Sequence, residues 1–458
     1  MNRICHIFIV FLSCTSALAQ PAQNKQELMR LLQEKPERSA PLLYNYEAPS
    51  KIIDTPAPKG FKPFYVSHYG RHGSRYHCAE YFFRSPMAVL DSLDAHNLLT
   101  DEGKSVLGDM QVIADAHDGQ IGYLTHKGAR QHQDIAGRLY RRCPEIFNQR
   151  DRQEVYCVAT AVPRCIQSMA NFCLELGREN PSLEITMDAG ERFTKYLCND
   201  EGVPQDNARE VFVRDSVLNA NLDPTRLLTA LTTDADEAVK YMKGGARKFF
   251  AELLNAGSIG QCLDIQDPYI YRHFTTEEIY GIFSYYNVRF YTIMNASVEN
   301  GRSRDLIGAR VLKDIVEKAD AAMGMCTCDS GAVRAGADCG GGNGHCADLR
   351  FGHDAGLGPI LSLLRLAGFE KEEKMAKSID GKWYSFEGMP MASNLQMIFY
   401  RNKKGEVLVK FLFNEYETSI PALGPGPYYR WSLLRKYLIS KISPVRAARF
   451  CMPPYVAD

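Results

Sequence analysis

Three short β-forming runs in this chain each stop at a polar cluster, and that shared pattern limits the fold more than any bulk property. The first, Phe64-Tyr65-Val66-Ser67-His68-Tyr69, is rich in aromatic and β-branched residues and is broken by Gly70 and Gly73. The second, Val155-Tyr156-Cys157-Val158-Ala159-Thr160, leads past Arg164 to Ile166, Met169, Ala170, Cys173 and Leu174, the spacing of one helical face. The third, Leu349-Arg350-Phe351, runs through Gly352-His353-Asp354 to Leu357, Ile360, Leu361 and Leu364 at helical spacing. Strand, turn and amphipathic helix in this order predict an open α/β sheet, where ligands bind beyond the carboxyl ends of the strands. The polar residues of these turns are therefore the candidate site.

Other segments organise around that frame. The 458 residues, 45% of them hydrophobic, are enough for two domains or one large domain with an insertion. Between 196 and 335 the pattern turns mainly helical. Thr275-x-x-Glu278 forms a capping box before Ile279, Ile282, Phe283, Tyr286 and Phe290, and a second helix carries Ile307, Val311, Leu312, Ile315 and Val316. Past 390, Leu395 to Tyr400 and Val407 to Phe413, joined by Asn402-Lys403-Lys404-Gly405, predict a hairpin. The expected division is a leader over 1–19, an arm over 20–60, α/β domain over 61–195 and 336–458, and a helical insertion over 196–335.

The leader reads as an export signal. Arg3 precedes the apolar run Ile7 to Leu12, and Ala17-Leu18-Ala19 offers a small-residue cleavage site before Gln20. The run is short of the roughly 20 residues that span a bilayer, so no stable membrane span is expected. Cys14 could take a lipid anchor, but Phe11 fits that pattern poorly. An exported protein, secreted or periplasmic, follows. Two of the 14 cysteines lie in the leader, and the even number left predicts disulfides whose pairing the spacing leaves open.

Removing the leader takes one of 54 basic residues and leaves 54 acids, a balance of −1. A chain so balanced offers no broad polyanion-binding surface, which argues against a nucleic-acid partner. The partner expected is a small molecule, met by a monomer.

The turn residues suit one chemistry. Arg71, Arg75 and Arg164 could cradle a phosphate monoester through bidentate, charge-assisted hydrogen bonds. Like charge keeps a histidine among them neutral and nucleophilic, so His72 could attack phosphorus. Asp354 could protonate the leaving alkoxide and then, ionised, activate water, while His353 adds a donor for the phosphoryl oxygens. Arginines neutralise the transferred group, so no metal or other cofactor is called for. With Asp354 as acid, activity should be highest at acidic pH and fall as that carboxyl ionises in the free protein.

Arg71-His72-Gly73-Ser74-Arg75 together with His353-Asp354 resembles the histidine acid phosphatases, which include phytases and multiple inositol polyphosphate phosphatases. Arg164 matches the family's third phosphate-binding arginine, and Leu124-Thr125-His126-Lys127-Gly128 its Leu-Thr-x-x-Gly segment. Phe351-Gly352-His353, followed by Leu357, Pro359 and Leu361, is most similar to the inositol polyphosphate branch, as is Phe411-Leu412-Phe413-Asn414-Glu415. The resemblance runs from about 61 to about 420. It implies a phosphoglycerate-mutase-like α/β sandwich with an inserted, mainly helical second domain. It also implies a phosphoric monoester hydrolase working through phosphohistidine, with phytate as substrate or, in a less selective enzyme, sugar and nucleotide phosphates. Two positions depart from the pattern. His77 stands where the motif normally has proline, and His353-Asp354-Ala355 is the phytase arrangement rather than the His-Ala-Glu usual in the inositol polyphosphate branch.

Competing readings exist. His68 is expected to pack within its strand. His77-Cys78-x5-Arg84-Ser85 matches the cysteine phosphatase signature, yet its interior, Ala79-Glu80-Tyr81-Phe82-Phe83, is bulky and carries an acid that would repel phosphate. Cys326, Cys328, Cys339, His345 and Cys346 could be drawn as a zinc site, although export favours disulfides. A non-catalytic phosphate-capturing protein is the alternative outside enzymes.

Overall fold

A computed structural model describes residues 25–40, 42–150, 154–198, 208–294, 304–327, 333–335, 344–370, 372, 379 and 382–446. The expected leader and most of the glycine-rich segment 336–344 lie outside them.

The three β-forming runs become neighbours in one sheet. Its strands are β1 (Lys62–Arg71), β2 (Glu154–Ala159), β3 (Glu184–Ala189), β4 (His345–Gly352), β5 (Asn394–Arg401), β6 (Val407–Phe413), β7 (Tyr416–Glu417) and β8 (Tyr428–Arg430). They lie in the order β8-β6-β5-β1-β4-β2-β3, with β7 on β6. β1, β4, β2 and β3 run parallel, whereas β5, β6 and β8 extend the sheet antiparallel. The hairpin expected past 390 is the β5–β6 pair, Leu395 facing Phe413.

Helices cover both faces, as the crossovers of parallel strands require. Along β1, successive side chains alternate between the two faces. Tyr65 and Tyr69 enter a cluster with Leu312, Ile315, Leu357, Leu361 and Leu434, whose helices are Asp305–Ala322, Asp354–Leu364 and Trp431–Arg446. Val66 turns the other way and joins Ile135, Leu139, Met169 and Phe172, from helices His126–Arg142 and Pro163–Glu179. His68, also on that face, lies with its ring 5.0 Å from Phe172 and 5.6 Å from Phe351.

A third cluster is built mainly from helices. Phe249, Phe250, Leu254, Ile279 and Phe283 pack with Phe83, Leu90, Val106 and Met110, so helices from either side of β2 build it together. The capping box is present: Glu278 N donates to Thr275 Oγ1 at 3.3 Å, and Thr275 N to Glu278 Oε2 at 2.8 Å. No helix among the described residues is long and apolar enough to cross a membrane.

One face of the sheet also buries charge. Arg350 on β4 donates through Nε to Asp314 Oδ2 at 2.6 Å and through Nη1 to Ser67 Oγ at 3.0 Å. Asp348, two residues earlier on the same face, accepts from the Tyr65 hydroxyl at 2.8 Å. Such a pair is costly to break rather than strongly stabilising, because a lone buried charge costs about 3–5 kcal/mol.

Candidate active site

Strand register brings the three polar turns to one height. Arg71 at the end of β1 lies opposite Gly352 on β4, and Ala159 at the end of β2 lies opposite Phe351. Hydrogen bonds continue one step further: His72 N donates to Gly352 O at 3.0 Å and Thr160 N to Phe351 O at 3.2 Å. His72, His353 and Thr160 therefore leave adjacent strands together. Arg164 enters in the first turn of helix Pro163–Glu179, and Asp354 opens helix Asp354–Leu364, with His353 as N-cap.

The loop that carries His72 is pinned by close backbone packing. A Cβ on Gly73 would sit 2.5 Å from Gly128 O, and one on Gly128 would sit 2.2 Å from Ser74 O, so neither position admits a side chain without displacement. Thr125 caps the helix that begins at His126, accepting from Gly128 N. Its hydroxyl also reaches Ser74 O at 3.1 Å. Gly73 N donates to Ser168 Oγ at 3.1 Å, Ser74 N to Gln131 Oε1 at 2.8 Å, and Ser74 Oγ to Asn45 Oδ1 at 2.5 Å.

His72 has one tautomer open to it. Its Nδ1 lies 2.9 Å from Gly73 O, and a carbonyl only accepts, so Nδ1 carries the hydrogen and Nε2 keeps its lone pair. Burial, followed by Arg164, Arg71 and Arg75, holds the imidazole well below its ordinary titration range and therefore neutral. The His72 and His353 rings meet edge-on at 5.5 Å.

Arg71 is fully buried, with Nη2 3.0 Å from Asp354 Oδ2. It also donates to Leu42 O at 2.7 Å and to Met389 O. Leu42 has φ of 55°, a left-handed conformation that a leucine rarely adopts, and it presents this carbonyl. Burial lowers the Arg71 pKa to about 10 against the opposing pull of Asp354, which still leaves it cationic at neutral pH. Arg75 donates to Tyr76 O at 2.9 Å. The Nε atoms of Arg71, Arg75 and Arg164 are buried with no acceptor among the described residues. Three cations with unmet donors in one place are what a bound anion would satisfy.

His353 sits beside them, its Nδ1 3.5 Å from Arg164 Nη2 and its Nε2 3.1 Å from Thr160 Oγ1. Burial, then Arg164, pushes its pKa down to about 3, with Asp354 opposing. For Asp354, burial acts to raise the pKa, but Arg71, His353 and the Ala355 N–H together outweigh it and the net shift is downward. Beside Arg71, Asp354 is therefore held as a carboxylate.

His77 accounts for its departure from the motif. Its backbone N–H, which proline would lack, donates to His117 Nε2 at 2.9 Å, and His117 Nδ1 in turn lies 2.6 Å from Ile113 O. The chain uses the extra donor. Cys78 is a free thiol, and Arg84 lies on helix Tyr81–Ala95, exposed and next to Glu80, so no loop of cysteine phosphatase type forms there. His345 places its ring nitrogens on Glu154 and Asp348. The side chains of Cys326, Cys328 and Cys339 lie outside the described residues; among those described, no cluster of metal-ligating side chains occurs. The expectation of disulfides is not met by Cys78, Cys143, Cys157, Cys165, Cys173 or Cys262, all free thiols.

Sequence reasoning missed four contributors. Leu42 and Met389 act through carbonyls, which leave no trace in side-chain type. Asn45 lies in the polar arm, and Thr160 was read only as the end of a strand.

No family model matches the sequence, and no curated protein does. Solved structures do. The Bifidobacterium longum multiple inositol polyphosphate phosphatase, in complex with inositol hexasulfate, matches with a TM-score of 0.73 at 16% identity, covering 88% of this chain and 98% of that one. The phytase from D. castellii matches with 0.62 at 14% identity, covering 89% and 85%. The Hafnia alvei phytase in complex with myo-inositol hexakis sulphate matches with 0.52 at 14%, covering 85% and 99%. The fold is that of the histidine acid phosphatases and phytases.

Proposed function

We propose that this chain is an exported phosphoric monoester hydrolase that removes phosphate from inositol polyphosphates such as phytate. His72 Nε2 forms a bond to phosphorus as the ester P–O bond breaks. Asp354 gives its proton to the departing alkoxide, then accepts one from the water that attacks the phosphohistidine and releases inorganic phosphate. Arg71, Arg75, Arg164 and His353 hold the phosphoryl oxygens, whose charge needs no other neutralisation at this site.

The observation that carries the reading is the fixed tautomer of His72, its Nδ1 committed to Gly73 O and its Nε2 left free where Arg71, Arg75 and Arg164 gather. The inositol polyphosphate substrate rests on the fold shared with enzymes solved with inositol hexasulfates, and on the Phe351-Gly352-His353 and Phe411 to Glu415 segments. Export rests on the leader sequence.

Since Asp354 is ionised beside Arg71, its working proton must arrive with the substrate. A phosphate monoester has a second pKa near 6, so below that value the monoanion carries a proton into the site. A single turnover with radiolabelled p-nitrophenyl phosphate tests the core step: label stable to base and labile to acid should map to His72 and vanish in His72→Ala. Unchanged hydrolysis by that variant would overturn the reading. Comparing rates on inositol hexakisphosphate and on sugar or nucleotide monoesters tests the substrate class.

A further inference from the structure

The carbonyl that fixes the tautomer of His72 belongs to the peptide unit joining Gly73 to Ser74, and that unit must itself be held. A glycine leaves the plane that follows it free to rotate. The planes on either side are tied: Gly73 N donates to Ser168 Oγ at 3.1 Å, and Ser74 O accepts from Thr125 N at 2.9 Å. Between them, the Gly73–Ser74 plane has its N–H on Gln131 Oε1 at 2.8 Å and its carbonyl on His72 Nδ1 at 2.9 Å. The bond is trans, so N–H and C=O point to opposite edges of one rigid plane. Holding one edge aims the other.

Gln131, on helix His126–Arg142, is set in turn by bonds that run in one direction only. Its Nε2 donates to Ser74 Oγ at 2.9 Å, and the Ser74 hydroxyl gives its own hydrogen to Asn45 Oδ1 at 2.5 Å. Asn45 turns that oxygen toward Ser74 because its Nδ2 donates to Gln261 O at 2.7 Å, and a carbonyl only accepts. Cys262 Sγ, 3.6 Å from the same Asn45 oxygen, has Leu43 O at 3.0 Å for its hydrogen. Rotating the Gln131 amide by half a turn would set donor against donor at Ser74 N.

We propose that Gln131 is a positioning residue for the nucleophile: it orients the Gly73–Ser74 peptide, whose carbonyl then keeps the hydrogen of His72 on Nδ1 and leaves Nε2 bare for phosphorus. This rests on the phosphatase reading for its purpose but not for its geometry. A peptide N–H that is already donating also makes the carbonyl of its own unit a stronger acceptor, so the contact with Gln131 tightens the one with His72. None of these bonds involves an arginine. The effect of Gln131 should therefore fall on the chemical step rather than on anion binding.

The test reads the tautomer and the chemical step separately. In the full chain labelled with 15N-histidine, long-range 1H–15N spectra should show His72 protonated on Nδ1 and bare on Nε2, its signals assigned by their loss in H72A. Q131L removes the acceptor of Ser74 N–H and should redistribute the hydrogen toward Nε2, whereas Q131E keeps an oxygen there and should retain Nδ1–H. Q131M, which keeps the length of the side chain, gives the same comparison if leucine prevents folding. In rapid-quench measurements with p-nitrophenyl phosphate, Q131L should slow formation of the phosphohistidine about tenfold while inhibition by inorganic phosphate stays unchanged. An unshifted tautomer in Q131L, or a loss of phosphate binding as large as the loss of rate, would overturn the proposal. A shifted tautomer in a chain that forms no phosphohistidine would instead leave the role of Gln131 standing and sink the functional reading.

Discussion

Asp354 Oδ2 lies 3.0 Å from Nη2 of Arg71, a guanidinium that no solvent reaches. The pairing makes the carboxylate the resting form of Asp354 and ties it to the residue that precedes His72. On the proposed reaction, a phosphate monoanion entering this site displaces part of the pairing, brings its own proton and places its charge beside the carboxylate. Like charge then raises the carboxyl's proton affinity, which converts a structural anion into an acid when substrate is present.

Asp354→Asn should separate the two halves of the reaction. Losing general acid and base catalysis typically costs 10²–10⁴-fold, and the loss should be larger for an alkyl monoester than for p-nitrophenyl phosphate, whose leaving group needs no proton. With the activated ester, the phosphohistidine should accumulate because no base activates water for its breakdown. Quenched-flow measurement of protein-bound phosphate checks both points. Equal losses on both esters, with no accumulated intermediate, would remove Asp354 from proton transfer.

The pH dependence follows from the ionised state of Asp354. The fall in kcat/KM from acid toward neutral pH should track the second ionisation of the substrate, near pH 6 for an alkyl monoester, rather than a carboxyl of the free protein. His72 and His353 stay neutral well below that, since burial and the arginines depress both. Profiles measured with two monoesters of different second pKa should therefore be displaced by the same difference. Superimposed profiles would return the titration to the protein.

The parts legible in the sequence were those written in side-chain type and period. The β-branched runs, the helical spacings after Arg164 and Asp354, and the capping box at Thr275 each depend on nearby residues, and each is present in the structure. What stayed hidden depends on distant partners. Arg350 reads only as part of a strand; it is a buried charge because Asp314, on a helix from another part of the chain, neutralises it. The carbonyls of Leu42 and Met389 orient Arg71, and any residue type supplies a carbonyl. Cysteine parity predicted bridges because composition carries no distances, whereas Cys157 and Cys173 sit as thiols 3.3 Å apart.

His77 provides a test of how the chain compensates for leaving the motif. His77→Pro would remove the N–H that reaches His117 Nε2 and the ring that stacks between Phe82 and His117. It would leave His117 Nε2 buried without its donor, a loss of about 1–3 kcal/mol. Urea unfolding should show that drop, and adding His117→Ala to it should cost less than the two changes measured singly. Simple additivity would mean that the two histidines do not act together.

Four buried histidines make the fold sensitive to acid. His68, His77, His132 and His353 are each pushed down to about 3, in every case by burial first. In the unfolded chain each titrates near its ordinary 6.5, so above that pH neither state binds the proton and no stability is lost. As pH falls from 6.5 toward 3 the unfolded state takes protons that the folded state refuses, and stability declines by about 1.4 kcal/mol per pH unit for each such histidine. His68 is the clearest case, since neither of its ring nitrogens has a hydrogen-bond partner among the described residues. Urea unfolding between pH 6.5 and 4.5 should give a steep loss, and His68→Gln should reduce that slope by about one proton. An unchanged slope in the variant would mean that His68 is protonated in the folded chain, or paired in a way its apolar surroundings of Phe172 and Phe351 do not allow.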